Sequence, residues 1–436
     1  MSNFPFDDIE LIFTGENKTK FGLFPLFAWY MMEIVELEKY FKTLTVKKKR
    51  NHAQSIERRR PKYTVENMCI GLITANILGV SRLWNIKDVL GTETAIAKMV
   101  GLSEFFDQST AHLFLDAFQA WHVQQLDRAS TELLRTFGES FRQDIMIVDI
   151  DSTTHSLESR KREKAVVGYN KIKLGKPCYQ WSVAFVRGEV VAQKLEAGNT
   201  NCKSPFQELL YQVKKKICHS ISIVRLDGGY FSAENLEFTQ AQGIQVITTE
   251  RYDWIMKQKP KIDPLKWLPY DDKTKLYDLG VMKVISTTPM QFRVILVEKE
   301  QVPFNRKKAK IIHYAIIENL AFRLDVKAVY KFYHGRQTIE NYFKESQNPF
   351  SSRKMPSSKF QANEAYLQLV AIAGNLYVWF KKNFFPQSSK VILFGTFRNK
   401  VINHGALLQV KGSKLTVELN KSYPYQAEVL SILDKF

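Results

Sequence analysis

The sequence predicts a mixed α/β fold, in which a helical N-terminal region precedes a sheet-based core and a β-rich segment interrupts that core. Residues 64–137 have helical spacing throughout. Between residues 145 and 250, short β-branched runs alternate with helical segments, which is the pattern of an α/β sheet. Residues 251–324 are rich in β-forming residues and polar loops, and helical spacing returns at Val326.

The balance of charged residues predicts a polyanionic partner. The chain has 436 residues, with 63 Lys and Arg against 44 Asp and Glu, so its formal net charge is +19. An excess of this size is typical of proteins that bind nucleic acid. We do not expect an acidic membrane surface as the partner, because the sequence shows neither a lipidation motif nor a basic amphipathic anchor.

We expect a cytosolic protein without a membrane-spanning segment. No apolar run reaches the ~18 residues that would span a bilayer. Acidic residues close to Met1 are unlike the basic start of a signal peptide. The four cysteines include no Cys-x-x-Cys pair, so they predict reduced thiols and neither a zinc site nor a disulfide framework.

Two basic clusters follow an aromatic-rich stretch of helical spacing, Phe21–Phe41. They have two interpretations, either a solvated face or a set of phosphate contacts, and the overall basicity favours the second slightly. The clusters consist of Lys47, Lys48, Lys49 and Arg50, and of Arg58, Arg59 and Arg60.

The helical N-terminal region shows start signals for three helices. Thr64 with Asn67 opens a run through Leu78, Thr92 opens a second, and Ser109 opens a third. We find no clear helix-turn-helix signature, so how this region would read DNA stays open.

The core begins with a short apolar strand, Ile145–Asp151, that leads into carboxylates. Period-two geometry places Asp149 and Asp151 on one face, where their oxygens suit a hard divalent cation. The alternative is that Asp151 caps a turn through Ser152 and Thr153.

The order of the following elements indicates an RNase H-like core. It reads strand, strand, strand, helix, strand, helix, strand, and in that fold the first and fourth strands are neighbours. The fourth strand ends at Asp227, so we expect Asp151 and Asp227 to meet at the carboxyl ends of adjacent strands, where α/β sheets place ligands. The elements after the first strand are Cys178–Val186 and Glu189–Leu195 with a hairpin at Arg187-Gly188, then Pro205–Lys216, Ile221–Leu226, Ser232–Gln240 and Ile244–Thr248.

A polar stripe on the closing helix, predicted from Val326 to Gln347, offers a third carboxylate. Tyr333, Arg336 and Glu340 fall at i, i+3 and i+7 on one helix face, and Lys344 and Gln347 continue it. Taken alone, the stripe fits a solvated face with an Arg–Glu pair of a few tenths of a kcal/mol. Together with the two strand-end aspartates, it favours a functional site.

These residues resemble the DDE transposases of bacterial insertion sequences. The closest branch has a β-rich insertion before the glutamate and a Tyr-x(2)-Arg-x(3)-Glu-x(6)-Lys signature. The resemblance covers Ile145 to about Phe385. It rests on Asp151 before Ser-Thr, Asp227 before Gly-Gly, the Tyr333–Arg336–Glu340 spacing, Gly198-Asn199, and the late helix Gln361 to Phe380 with Asn375-Leu376.

The resemblance implies a catalytic, metal-binding triad of Asp151, Asp227 and Glu340 that holds two Mg²⁺ ions, with Mn²⁺ as a substitute. It also implies DNA contacts by Tyr333 and Arg336, a homodimer on double-stranded DNA, and a bacterial cytoplasmic, nucleoid-associated protein. Asp149 is the fallback ligand if the register is off by one pair. Trp254 and Trp267 could trap a flipped base, although ordinary core tryptophans are the more common alternative.

One position departs from the signature. Gln347 stands where the branch has Lys, which puts DNA handling more in doubt than the chemistry. Lys344, one turn earlier on the same face, is a candidate to take over its DNA contact.

Two other functions fit parts of the sequence. A catalytically inactive, transposase-derived DNA-binding protein would keep the basic surface and lose the acids, whereas all three acids are present. A glycoside hydrolase with two carboxylates fits poorly with the positive charge. The predicted divisions are 1–140, helical and DNA-binding; 141–250, the first part of the core; 251–325, the insertion; 326–386, the closing helices; and 387–436, a C-terminal region for protein contacts.

Overall fold

The computed structural model describes most of the chain between residues 18 and 435. The described ranges are 18–46, 62–170, 173–201, 204–217, 219–258, 260–301, 309–347, 350, 352, 354–385, 393–411 and 414–435. The basic clusters predicted to contact phosphate, Lys47–Arg50 and Arg58–Arg60, lie outside these residues.

The N-terminal region is helical, as predicted. Thr64 accepts from the backbone of Asn67, whose side chain accepts from Thr64 N–H, so a capping box starts the third helix. The helix predicted from Ser109 begins at Gln108 and is interrupted after Asp116. The helices are α1 (Phe24–Trp29, continued by a π-helical turn Tyr30–Ile34), α2 (Leu37–Phe41), α3 (Val65–Ile77), α4 (Ile86–Leu90), α5 (Thr94–Met99), α6 (Gln108–Asp116) and α7 (Ala120–Phe137).

Ten strands of the described chain form one large mixed sheet that follows the helical region. Its order is β3-β4-β2-β6-β7-β11-β10-β9-β8, and β5 pairs with β4 outside this path. A two-residue strand, β1 (Lys18–Thr19), lies in a separate small sheet described below. The strands of the large sheet are β2 (Ile147–Ser156), β3 (Val166–Val167), β4 (Pro177–Val186), β5 (Glu189–Ala197), β6 (Ile223–Leu226), β7 (Gln245–Arg251), β8 (Leu268–Asp271), β9 (Thr274–Lys283), β10 (Gln291–Gln301) and β11 (Lys310–Glu318).

The predicted adjacency of the first and fourth strands is confirmed. β2 pairs with β6 in parallel, and β6 pairs in parallel with β7. The β4–β5 hairpin turns at Arg187-Gly188, both at positive φ, as a two-residue type I′ turn requires. The intervening helices are α8 (Phe206–Ile217) and α9 (Ala233–Ala241).

Strand β2 continues five residues past Asp151, which the prediction had placed at the strand end. The polar run from Ser152 to Ser156 is extended because its whole length pairs antiparallel with β4. The parallel pairing with β6 stops at Ile150 opposite Leu226. Asp151 is therefore the first residue of β2 beyond that parallel pairing.

The β-rich segment extends the same sheet. β11 pairs antiparallel with β7, and β10, β9 and β8 follow outward by antiparallel pairing. A short helix, α10 (Tyr252–Met256), leads into this segment. Trp254 and Trp267 are partly buried against the core on one face of the sheet, as the core interpretation of these tryptophans predicts.

The single closing helix predicted from Val326 to Gln347 is wrong, because the chain forms two helices there. α11 (Val326–His334) ends at Gly335, and α12 (Gln337–Gln347) begins after Arg336. Glycine disfavours the helix interior, which explains the break at this position. Tyr333, Arg336 and Glu340 thus lie at the end of one helix, in the joint, and in the first turn of the next.

A long helix, α13 (Phe360–Phe384), connects the sheet to the N-terminal helices. One hydrophobic core joins α3 and α7 to α13 and the C-terminal region, while two others cover the two faces of the sheet around β2 and β4. No helix among the described residues is long and apolar enough to cross a membrane. The remaining elements are α14 (Phe394–Phe397), β12 (Ala406–Lys411), β13 (Lys414–Leu419) and α15 (Gln426–Leu433), with β1 pairing β12 in a three-stranded sheet.

Candidate functional site

The two strand-end aspartates line one cavity. Ile150 and Leu226 are the last parallel pair of β2 and β6, and each is followed directly by an aspartate, Asp151 and Asp227. Both side chains line a cavity of about 850 Å³ at the point where the parallel pairing of these strands ends. The two acids are thus neighbours of one cavity, which is the arrangement that the sequence led us to expect.

The rest of the cavity wall is polar and uncharged. Hydroxyl and amide groups dominate it, and such groups contact phosphate and sugar oxygens in nucleic-acid complexes. These groups belong to the part of β2 that extends past Asp151, to β4 and to the loop after β5. The lining includes Ser152, Thr153, Thr154, Gln180, Asn199, Thr200 and Asn201, with Gly168, Tyr169, Gly198 and Gly229 completing the wall.

The helix joint brings Arg336 to the aspartates. Its Nη1 donates to Asp151 Oδ2 at 2.9 Å, and its Nη2 donates to Glu340 Oε1 at 3.3 Å. The Arg336 side chain is only 8% exposed, whereas that of Glu340 is 49% exposed. Arg336 is therefore a buried cation that joins the first and third predicted acids.

Burial and the neighbouring charge shift the pKa values of Asp151 and Arg336 in opposite directions. Burial raises the pKa of Asp151, the Arg336 guanidinium opposes that rise, and the nearby Asp227 carboxylate adds to it. Burial alone would lower the pKa of Arg336, but the carboxylate of Asp151 raises it above its ordinary value, with Asp227 contributing to that rise. The cation at this position thus faces two carboxylates and stays charged.

The other residues of the polar stripe lie around the joint. The Tyr333 hydroxyl is buried, 3.3 Å from Thr249 Oγ1 and 3.4 Å from the Leu226 carbonyl that it donates to. Burial raises the pKa of Tyr333, so the hydroxyl keeps its proton at neutral pH and can donate this hydrogen bond. Lys344 is exposed on α12. Gln347 donates from Nε2 to Thr153 Oγ1 at 2.7 Å, which ties the end of α12 to β2.

Asp149 does not line the cavity and instead pairs with Arg225. Arg225 donates from Nε to Oδ1 at 2.6 Å and from Nη2 to Oδ2 at 2.7 Å. The sequence did not single out Arg225, although a charge inside the apolar run Ile221–Leu226 was a signal. The reason for this charge is visible only from the pairing of β2 with β6, in which Asp149 lies opposite Arg225.

The sequence matches the family described as Transposase DDE domain group 1 over residues 35–436. The chain belongs to this transposase family. No curated protein matches the chain.

In this transposase, Asp151 and Asp227 offer the carboxylate oxygens that hard divalent cations prefer. Glu340 is connected to Asp151 through Arg336 but does not line the cavity. As arranged in the described part of the chain, no three carboxylate, imidazole or thiol groups are placed to hold a metal ion. Carboxylates suit a divalent cation, and in this arrangement Arg336 instead donates to one oxygen of Asp151 and one of Glu340.

Proposed function

We propose that this transposase cleaves DNA at insertion-sequence ends and joins those ends to target DNA by two-metal-ion phosphoryl transfer. One observation carries the proposal, namely that Asp151 and Asp227 follow adjacent parallel strands and line one cavity. The net charge of +19 supports a DNA substrate, because it attracts the phosphate backbone.

The strand order supports an RNase H-like core around this cavity. The five strands nearest the site lie in the order β5-β4-β2-β6-β7, with β4 antiparallel to β2 and the β2–β6–β7 pairs parallel. Numbered along the chain, this is the order 3-2-1-4-5. It places the first and fourth strands together, as the RNase H-like interpretation requires.

Asp151, Asp227 and Glu340 would hold Mg²⁺, with Mn²⁺ able to replace it. When bound there, such ions would supply activation of an attacking water or 3′-hydroxyl and charge stabilisation at the leaving oxygen. The protein's own task is to bring the three carboxylates together and to hold phosphate and sugar oxygens of the DNA along the polar wall of the cavity. Tyr333 fixes the end of α11 against the strand that carries Asp227.

Arg336 is proposed to change partners when DNA binds. The planar guanidinium can donate two parallel hydrogen bonds to two oxygens of a backbone phosphate, so a phosphate can take the place of Asp151 and Glu340. That exchange frees the carboxylates for metal in the presence of substrate. Lys344 and Gln347 lie further along α12, where they would contact the same DNA strand, and two copies would act together on paired ends.

Cleavage of an end-containing duplex tests this function. Incubation with Mg²⁺ should produce strand breaks with 3′-hydroxyl groups at the element end, followed by joined products when target DNA is added. EDTA should stop both steps. Binding of the duplex without any cleavage in Mg²⁺ or Mn²⁺ would instead favour the inactive, DNA-binding alternative.

Replacing Arg58, Arg59 and Arg60 by Ala should reduce the salt dependence of DNA binding. Each lost phosphate contact lowers the slope of log K against log salt by roughly 0.9, so the triple variant should lose up to about two to three units. Affinity should fall equally on specific and random duplexes, because phosphate contacts carry no sequence information.

A matched variant controls for net charge. Replacing the exposed Lys411, Lys414 and Lys421 by Ala removes the same charge at the C-terminal hairpin and should change the slope much less. If sequence preference fell in the arginine variant while the slope held, the arginines would read bases, and the phosphate interpretation would be wrong.

A further inference from the structure

A buried ion pair lies directly behind the candidate site. The Asp149 and Arg225 side chains are 7% and 14% exposed, and the two hydrogen bonds between them are parallel and bidentate. Val148 and Ile150 pack into the core on the opposite face of β2, so the alternation places Asp149 on the same face as Asp151. The pair thus lies next to the cavity, two residues before Asp151 along β2, on the sheet face that α11 and α12 cover.

Arg225 also holds the helix joint. Its Nη1 donates to the carbonyl of Phe332 at 2.8 Å, in the last turn of α11, and its guanidinium lies 5.3 Å from the Phe332 ring centre. The same carbonyl also accepts from the backbone N–H of Gly335 at 3.2 Å, so Arg225 and the helix joint share one acceptor in the last turn of α11. The next residues of the chain are Tyr333, the joint at Gly335, and Arg336.

Gly335 makes this contact possible. A Cβ at this position would overlap Nη1 of Arg225 and lie 3.2 Å from the Phe332 carbonyl oxygen. The backbone of Gly335 is helical, with φ −57° and ψ −19°, so any residue could adopt it. The requirement for glycine is therefore the close approach of Arg225 and not the backbone conformation.

We propose that Asp149, Arg225 and Gly335 form a positioning unit that fixes the α11–α12 joint and thereby aims Arg336 and Glu340 at Asp151 and Asp227. Asp149 fixes the position of the Arg225 guanidinium, and that guanidinium in turn binds the end of α11. Gly335 leaves the space that the helix joint needs to approach Arg225. Arg336 follows Gly335 directly, and Glu340 is in the first turn of α12. The unit touches neither substrate nor metal in this role. The inference rests on the proposed function of the site.

Gly335→Ala is the sharpest test, because alanine suits helical backbone and is favoured over glycine there by roughly 0.5–1 kcal/mol. This preference should offset part of the cost of displacing Arg225, so the variant should fold with a modestly lower thermal midpoint. Mn²⁺ affinity, followed by electron paramagnetic resonance on the chain bound to an end duplex, should fall about 10-fold or more, as losses of outer ligand-orienting partners do. DNA affinity should fall by no more than the single phosphate contact proposed for Arg336. Gly405→Ala, at an exposed position with open space around it, is the matched control.

A second variant keeps the test decisive if Gly335→Ala fails to fold. Asp149→Leu with Arg225→Met replaces a buried ion pair by apolar groups of similar size, an exchange that is often neutral for stability. It removes the donor to Phe332 while leaving Gly335 intact, so Mn²⁺ affinity should fall in the same way. A folded variant of either kind that binds Mn²⁺ like the wild type overturns the inference. Failure of the wild type itself to bind Mn²⁺ would instead refute the proposed function.

Discussion

Asp227→Ala should abolish metal-dependent cleavage of an end duplex and leave DNA binding nearly intact. The Asp227 carboxylate lines the cavity beside Asp151, and its proposed role is to bind cation. Removing it takes away a ligand that acts only in the reaction, so the cleavage rate should fall about 10³-fold or more. Removing a negative charge beside the phosphate should not weaken binding and can tighten it in metal-free buffer.

The measurement pairs single-turnover cleavage with a binding assay on the same duplex. Asp272→Ala, which removes an exposed acid from the turn between β8 and β9, is the matched control and should cleave normally. Equal loss of binding and cleavage in a folded Asp227→Ala protein would point away from a metal-ligand role.

Arg336→Met should destabilise the metal-free protein, and divalent metal should restore much of the loss. The variant keeps an apolar stem but leaves Asp151 beside Asp227 without the cation that both face. Removing one partner of a buried ion pair typically costs about 3–5 kcal/mol. Mg²⁺ or Mn²⁺ can then supply the missing positive charge, so the urea midpoint should rise on addition of metal far more than in the wild type.

Arg293→Met gives the comparison for this effect. Arg293 pairs with Asp278 at 2.7 Å in the β-rich segment and is 16% exposed, so its loss should also lower the midpoint. Because that pair lies away from the cavity, metal should not restore the loss. An Arg336→Met protein that is equally insensitive to metal would show that the acids do not form a cation site.

Local patterns predicted the elements of the core well. The β4–β5 turn, the Thr64 cap and the adjacency of β2 and β6 follow from residues close in sequence or from the order of elements. The extension of β2 through Ser152–Ser156 could not be predicted in this way. Polar residues with turn character are extended there because β4 pairs with their whole length.

The sequence predicted the two aspartates of the candidate site but not the ion pairs that connect the site residues. Asp151 and Asp227 could be identified because each directly follows an apolar, strand-forming run. The break at Gly335 was missed because helical spacing continues through it on both sides, and the reason for a glycine there is the close approach of Arg225 from β6. The role of Arg336 as a shared partner of Asp151 and Glu340 depends on that break.

Anomalous scattering from Mn²⁺ in crystals of the transposase with an end duplex tests the central claim most directly. The account predicts two peaks about 3.5–4 Å apart, bound by Asp151, Asp227 and Glu340. In the same crystals, Arg336 should have left Asp151 for a DNA phosphate. Mn²⁺ bound elsewhere, with Arg336 still bridging Asp151 and Glu340 in the presence of DNA, would contradict it.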